Sequence, residues 1–304
     1  MNVSLFSRAG RSSGAAPPIG AAAWARDLLR RSVSFRVGLT LVGLLVLLAA
    51  VGPIVAPHDA YTSDFTRGIT AEHLPVGPSA EYWLGADRLF RDVFARLATG
   101  ARFSLLIGIA ATAIATVIGT TVGVLAGFYE GRALDAALMR LVDVGLAFPF
   151  LLIVMALGAA LERTTALTIC VTLGCTGWLG VARIVRAKTL QIRGRDFVAA
   201  AVALGQTTTQ LLTRHILPNV AGPLVVIATI LVAQMILAES VLSFLGAGIS
   251  PPTPTWGHML FEGQDYLGPA PWISGAPAVA ISIAVLGFNL LGEGLRDALD
   301  PRKV

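Results

Sequence analysis

Apolar positions in this chain do not alternate with polar ones; they run on. Six stretches carry no charged side chain over the 18 residues or more that a helix needs to cross a bilayer: Val37 to Ala56, Phe103 to Tyr129, Val144 to Leu161, Thr164 to Ala182, Ile216 to Ala238 and Leu267 to Leu291. The spacing of Gly268, Pro269 and Pro271 moves the start of the last helix to near Ile273. Strands of a membrane barrel alternate over about ten residues, so continuous runs predict helices. The predicted fold is all-α, a polytopic membrane protein of about six transmembrane helices. Composition agrees, with 55% hydrophobic residues, 13% charged residues and a mean hydropathy of +0.74 in 304 residues.

The net charge of +5 would fit a nucleic-acid binder if the basic residues shared one surface, but they do not. Arg8, Arg11, Arg26, Arg30, Arg31 and Arg36 precede the first run against Asp27, and Arg183, Arg186, Lys188, Arg193, Arg195 and Arg214 follow the fourth against Asp196. Residues 57–100 carry more acid than base, and the loop from Ala247 to Trp272 has Glu262 and Asp265 with no Lys or Arg. Lys and Arg resist translocation, so both termini and the basic loop are expected in the cytoplasm. No nucleic-acid partner is expected; lipid is. The first run exceeds the apolar core of a usual cleaved signal and is read as a span.

These boundaries give a cytoplasmic tail at 1–34, flexible by composition, a first transmembrane helix at 35–56 and an extracytoplasmic segment at 57–100. A five-helix core follows at 101–293, with a cytoplasmic loop at 183–220 and a tail at 294–304. Within 57–100, Leu89, Val93, Phe94 and Leu97 recur at helical spacing with Arg88, Arg91, Asp92 and Arg96 between them. Two readings stay open for that amphipathic helix: lying in the membrane interface, or packed on the bundle with its charges in water. In the second run, Gly119, Gly123 and Gly127 stand four apart and predict a seam of close helix packing. Pro149 predicts a kink in the third span.

Candidate chemistry is sparse. The ionisable residues near the spans are Asp143, Glu162, Arg163 and Glu239, all near expected helix ends, whereas ion-gradient coupling needs charge deep in the helices. Glu239 precedes Ser240, Ser243, Gly246 and Gly248 and is expected to be satisfied by backbone or a neighbouring helix. Cys170 and Cys175 lie five apart on one helix and read as packing residues. His58, His73, His215 and His258 are scattered over loops, so no metal site is expected. No cluster of nucleophile, acid and base marks a catalytic site. The chain also has no Gly-x-x-x-x-Gly-Lys-[Ser/Thr] loop, so it is not expected to bind ATP itself.

The 183–220 loop is the informative segment. It contains RGRDFVAAAVALGQTTTQLLTRHILPNV, in which Asp196 is placed to cap a helix from Phe197 to Leu204, with Gly205 to end it. A second short helix from Thr208 to Ile216 then leads to Pro218, giving a helix-turn-helix knob that a soluble partner can read. Here the chain resembles the permease subunits of bacterial ABC importers, specifically the C-type subunit of the dipeptide, oligopeptide and nickel group. That family's signature runs Glu-Ala-Ala, three residues, Gly, nine residues, Ile, one residue, Leu-Pro. The chain has Ala199, Ala200, Ala201, Gly205, His215, Leu217 and Pro218 at those places, departing at Ala199 and His215. The segments WLGADRLFRDVFARLATGARFSL, MRLVDVGLAFPFLL, AESVLSFLGAGISPPTPTWGHML and FNLLGEGLRDALDPR extend the resemblance over most of the chain.

The resemblance implies a type I importer fold and a coupling helix docking on an ATPase, carried here by Arg195, Asp196, Phe197, Ala199, Ala200, Ala201, Gly205, His215, Leu217 and Pro218. It implies a second homologous permease subunit, two cytoplasmic ATPase subunits that bind ATP and Mg, and an extracytoplasmic substrate-binding protein. The chain itself would be a non-catalytic half of a pathway for di- or oligopeptides, with glutathione or nickel chelates as the other cargoes of the group. Whether Arg193, Arg195 and Arg214 orient the ATPase or only obey the positive-inside rule stays open. An ATPase-independent channel or secondary transporter would not need the 183–220 loop. Substrate-binding residues stay unassigned, because spans this apolar do not separate a lumen face from a lipid face.

Overall fold

The first long helix, α1 (Val33–Val55), starts where Ser32 accepts a hydrogen bond from the Phe35 amide at 3.1 Å, an N-cap. The computed structural model describes residue 29, residues 32–160 and residues 164–299. Most of the tail expected at 1–34, with its arginines before Arg36, lies outside them, as do Glu162, Arg163, Arg302 and Lys303. Among the described residues nine further α-helices follow: α2 (Val93–Phe128), α3 (Ala133–Ala147), α4 (Phe150–Ala159), α5 (Ala166–Arg193), α6 (Asp196–Ala203), α7 (Thr208–Leu211), α8 (Leu217–Phe244), α9 (Trp256–Gly263) and α10 (Trp272–Leu299). A π turn at Leu212–Ile216 joins α7 to α8. Among the described residues there is no strand, only isolated bridges between Ile69 and Pro75 and between Ala86 and Asp92. The all-α expectation holds.

Four of the expected spans lengthen. α2 starts ten residues before the uncharged run, α5 continues through Arg183, Arg186 and Lys188 to Arg193, and α7, the π turn and α8 form one apolar rod from Thr208 to Phe244. α10 runs to Leu299, so residues 294–299, expected in the C-terminal tail, are helix. A charge ends an apolar run without ending a helix, since Arg and Lys are good helix formers. The third span is corrected. Pro149 does not bend one helix; it separates α3 from α4 at an angle of 84°. Phe148 is extended (φ −94°, ψ 141°), as the residue before proline prefers, and Pro149 becomes the N-cap of α4. Among the described residues, five helices are long and apolar enough to cross a membrane, or six if the bent pair counts as one.

The glycine seam lies between α2 and α5, the most extensively packed helix pair. A Cβ on Gly119 would lie 2.6 Å from Val181 Cβ, one on Gly123 2.5 Å from the Ala182 carbonyl, and one on Gly127 2.7 Å from Thr189 Cβ. Such contacts let the two backbones meet. α1 packs on the other side, against α10 and the start of α2. Its Pro53 lacks the amide that would serve the Ala49 carbonyl; Arg102 of α2 serves it instead, donating from Nε at 2.6 Å, and donates from Nη2 to Ala50 at 3.1 Å. That satisfies a backbone group where water is scarce. The outward faces of α1, α3 and α4 keep large apolar residues exposed, among them Leu47, Ile54, Val144, Phe148 and Leu152.

Candidate functional site

At the end of the bundle where α2 and α5 finish, α6 and α7 form a helical hairpin. α6 opens after Arg195, its N-cap, with Asp196 as the first helical residue. The expectation that Asp196 caps the helix is corrected: no side-chain cap bond forms, and its carboxylate favours α6 only as charge in the first turn. The C-terminus is closed as the sequence predicts, one residue earlier than Leu204. Gly205 (φ +77°) donates to Val202 O at 2.9 Å and Gln206 donates to Ala201 O at 3.2 Å, the two bonds of a Schellman motif. Thr207 then caps α7 reciprocally with Gln210, at 3.4 Å from the Gln210 amide and 2.9 Å back to the Thr207 amide.

The second helix is not a separate short one. It runs through the π turn into α8, and Pro218 supplies the reason. An α-helical Pro218 would have no amide for the Arg214 carbonyl and would press its ring on it; instead the Leu217 amide reaches back to Leu212 O. His215 sits between the arms, its Nε2 2.9 Å from Gln206 Oε1 and its ring 6.1 Å from that of Phe197. Asn219 Nδ2 donates to the His215 carbonyl at 2.7 Å.

Burial divides the hairpin into a root and a tip. Val198, Ala201, Leu211 and Ile216 are buried and join the core formed by α2, α5 and α8. Arg195, Asp196, Phe197, Ala199, Ala200, Gly205, Leu217 and Pro218 are exposed, His215 is half-buried, and Leu204 is 82% exposed. Of the coupling residues expected from the sequence, then, Ala201 anchors the hairpin, half-buried His215 braces its two arms, and the others present a surface. Val198, Leu211 and Ile216, the remaining anchors, were not singled out, although they stand at helical spacing beside residues that were. Arg186 holds the adjoining α3 to α5 through Asp135, with bonds of 2.7 and 2.8 Å, and Arg183 pairs with Asp143.

The opposite end of the bundle carries what the sequence reading missed. The amphipathic helix expected around Leu89 to Leu97 begins at Val93 and is the start of α2 itself, and it is buried on both sides: Val93 and Leu97 are buried with the core, but so are Arg91, Asp92 and Arg96, while Leu89 is exposed. Arg91 donates to Asp87 at 2.7 Å and to Glu262 Oε1 at 2.8 Å, and Arg96 donates to Glu262 Oε2 at 2.7 Å with its Nε 3.1 Å from Asp87. Burial alone pushes the Glu262 carboxyl up. His258 at 3.6 Å and the Arg96 and Arg91 guanidiniums outweigh that and hold it down at about 2. Beside this cluster, Glu239 is fully buried and accepts from Ser243 at 2.7 Å and from Ser104 at 3.4 Å, satisfied inside the protein as its neighbours in sequence predict.

Residues 119–304 match the family described as binding-protein-dependent transport system inner membrane component, and residues 22–75 match the N-terminal transmembrane domain of oligopeptide transport permease C. The chain belongs to this family. The permease is 40% identical to the dipeptide transport system permease protein DppC of Bacillus subtilis (strain 168), over 92% of this chain and 85% of that protein. It is 38% identical to the oligopeptide transport system permease protein OppC of the same organism, over 88% and 85%, and 39% identical to the glutathione transport system permease protein GsiD of Pectobacterium atrosepticum, over 91% and 89%. In fold, the permease is similar to a structure of the inward-facing MetNI methionine ABC transporter, with a TM-score of 0.55 and 21% identity over 67% of this chain and 96% of that one. The resemblance read from the coupling-loop spacing and the flanking segments therefore holds, as does the type I importer fold.

Proposed function

We propose that this permease forms half of the transmembrane pathway of an ATP-driven peptide importer and that residues 195–218 are its docking element for an ATPase subunit. The observation that carries the reading is the division of the hairpin: a root buried in the core that carries the spans, and an exposed tip with Phe197, Ala200 and Leu204 outward. A surface fixed this way moves only with the helices, which coupling requires. A second permease subunit would cover apolar faces that α3 and α4 leave open, an extracytoplasmic binding protein would deliver cargo, and both termini would lie in the cytoplasm with the hairpin. ATP and Mg would be bound by the ATPase partners. Relatives named for dipeptides, oligopeptides and glutathione share one cargo class, since glutathione is itself a peptide.

The test is co-purification from membranes in mild detergent, with the accompanying ATPase identified by mass spectrometry. Gly205→Arg puts a long cation at the exposed tip and a side chain at φ +77° with no steric neighbour, so the fold is expected to survive with a loss of about 1 kcal/mol. The expected outcome is an ATPase accompanying the wild type and absent from Gly205→Arg, with both forms monodisperse. An ATPase retained equally by both would remove the hairpin from the interface.

A further inference from the structure

A cleft of about 320 Å³ opens against the side of α6, lined by Phe128, Tyr129, Arg132, Arg193, Ala199 and Val202 among others, and no acidic side chain lines it. Its two cations are held in place by rings: the Arg132 guanidinium lies 5.4 Å from the centre of the Tyr129 ring, and that of Arg193 lies 5.8 Å from that of Phe128. Among the described residues, Arg193 has only a loose ion pair, at 3.8 Å, with the exposed Glu130. The cleft lies beyond the hydrocarbon. α5 has 28 residues, about 42 Å of helix against a core of about 30 Å, and Arg193 is its last residue. One wall is the hairpin itself, where Ala199 leaves the space open and Val202 is 55% exposed.

We propose that this cleft receives an aspartate or glutamate side chain of the ATPase subunit, which pairs with Arg132 and Arg193 while its neighbours cover Val202 and Leu204. The inference rests on the hairpin reading given above. Charge complementarity favours a carboxylate: two pre-positioned guanidiniums without an acid in the cleft attract an anion, and the apolar wall on the docking element attracts protein. A lipid phosphate would satisfy the arginines but would need the cleft to face the bilayer, not the tip of the hairpin.

The test uses the full-length permease with its partner permease subunit in nanodiscs, titrated with the purified ATPase. Ala199→Glu puts a carboxylate from the permease itself into the cleft; Ala199→Gln adds the same bulk without charge, and both sit on an exposed helical face that tolerates them. Wild-type affinity is expected to fall as salt rises. Ala199→Glu is expected to bind about tenfold more weakly than Ala199→Gln and to lose most of that salt dependence. Independently, the amine introduced by Arg132→Lys is expected to be joined by carbodiimide to a carboxylate of the ATPase, located by mass spectrometry. Equal affinities and salt slopes for the two Ala199 variants, with no such crosslink, overturn the inference and leave the hairpin reading intact; that is the result if the arginines serve lipid. Loss of the hairpin reading is seen separately, as binding that Gly205→Arg does not change, and it overturns both.

Discussion

Glu262→Ala is expected to lower the stability of the permease by about 3–5 kcal/mol, because it leaves Arg91 and Arg96 buried with only Asp87 between them. The network is not thereby an efficient source of stability. Charges taken out of water lose much of what pairing returns, and an apolar cluster of the same shape would do as well. What the carboxylate does is join the segment before α2, through Arg91, and the first turn of α2, through Arg96, to α9. The same group predicts a pH response. Its pKa falls from an ordinary 4.5 to about 2 on folding, so the folded state binds the proton less tightly than the unfolded one. The stabilisation, about 3 kcal/mol, is complete above pH 4.5 and is lost as pH falls toward 2. Tryptophan fluorescence melts in detergent at pH 7 and pH 3 check both statements, since Trp256 opens α9 and Trp272 packs against the same apolar cluster. A Glu262→Ala midpoint matching the wild type at pH 7 would sink the first, and a wild-type midpoint unchanged at pH 3 the second.

The α2–α5 seam gives the other large effect. Gly123→Ala places a Cβ 2.5 Å from the Ala182 carbonyl and 2.7 Å from Val185 Cβ, and neither the backbone nor a β-branched carbon yields cheaply. Overpacking of this kind is expected to take about 1–3 kcal/mol from the folded state, and Gly123→Leu to leave no monodisperse permease in detergent. Gly43 on α1 is the control, with nothing within 4 Å of its added Cβ. Gly43→Ala is expected to be neutral or to gain up to about 1 kcal/mol from helix propensity. Thermal midpoints of the pair decide the matter; equal shifts would mean that the seam is looser than its distances.

What could be read in advance follows from how local each signal is. Uncharged runs, glycines four apart and the Gly205 turn depend on neighbours within one or two helical turns, and the sequence shows them directly. The ion network depends on partners 171 and 166 residues apart, so Arg91 and Arg96 read as the wet side of an amphipathic helix although they are as buried as its apolar side. Arg102 was passed over for the same reason: its partners are carbonyls of α1, 52 and 53 residues earlier, made available by Pro53 and the proximity of the two helices. At Pro149 the residue type signalled an interruption, but whether a helix bends or breaks there depends on the packing around α3 and α4. In the hairpin, spacing located the two helices and the Gly205 turn of the proposed docking element, while the division into root and tip required knowing where the core ends.

From Thr208 to Phe244 the chain is one apolar rod of 37 residues, about 55 Å long at 1.5 Å per residue, with the hairpin at one end and Glu239 near the other. Its interruptions, the π turn, Pro218 and Pro223, all lie in the first half, and residues 224–244 contain neither glycine nor proline. The rod is thus built as a lever with its compliant joint beside the handle. A sideways push of a few ångströms on the hairpin that the joint does not absorb reaches Glu239, Ser243 and Ser104 as a tilt, with no loop in between to lose it.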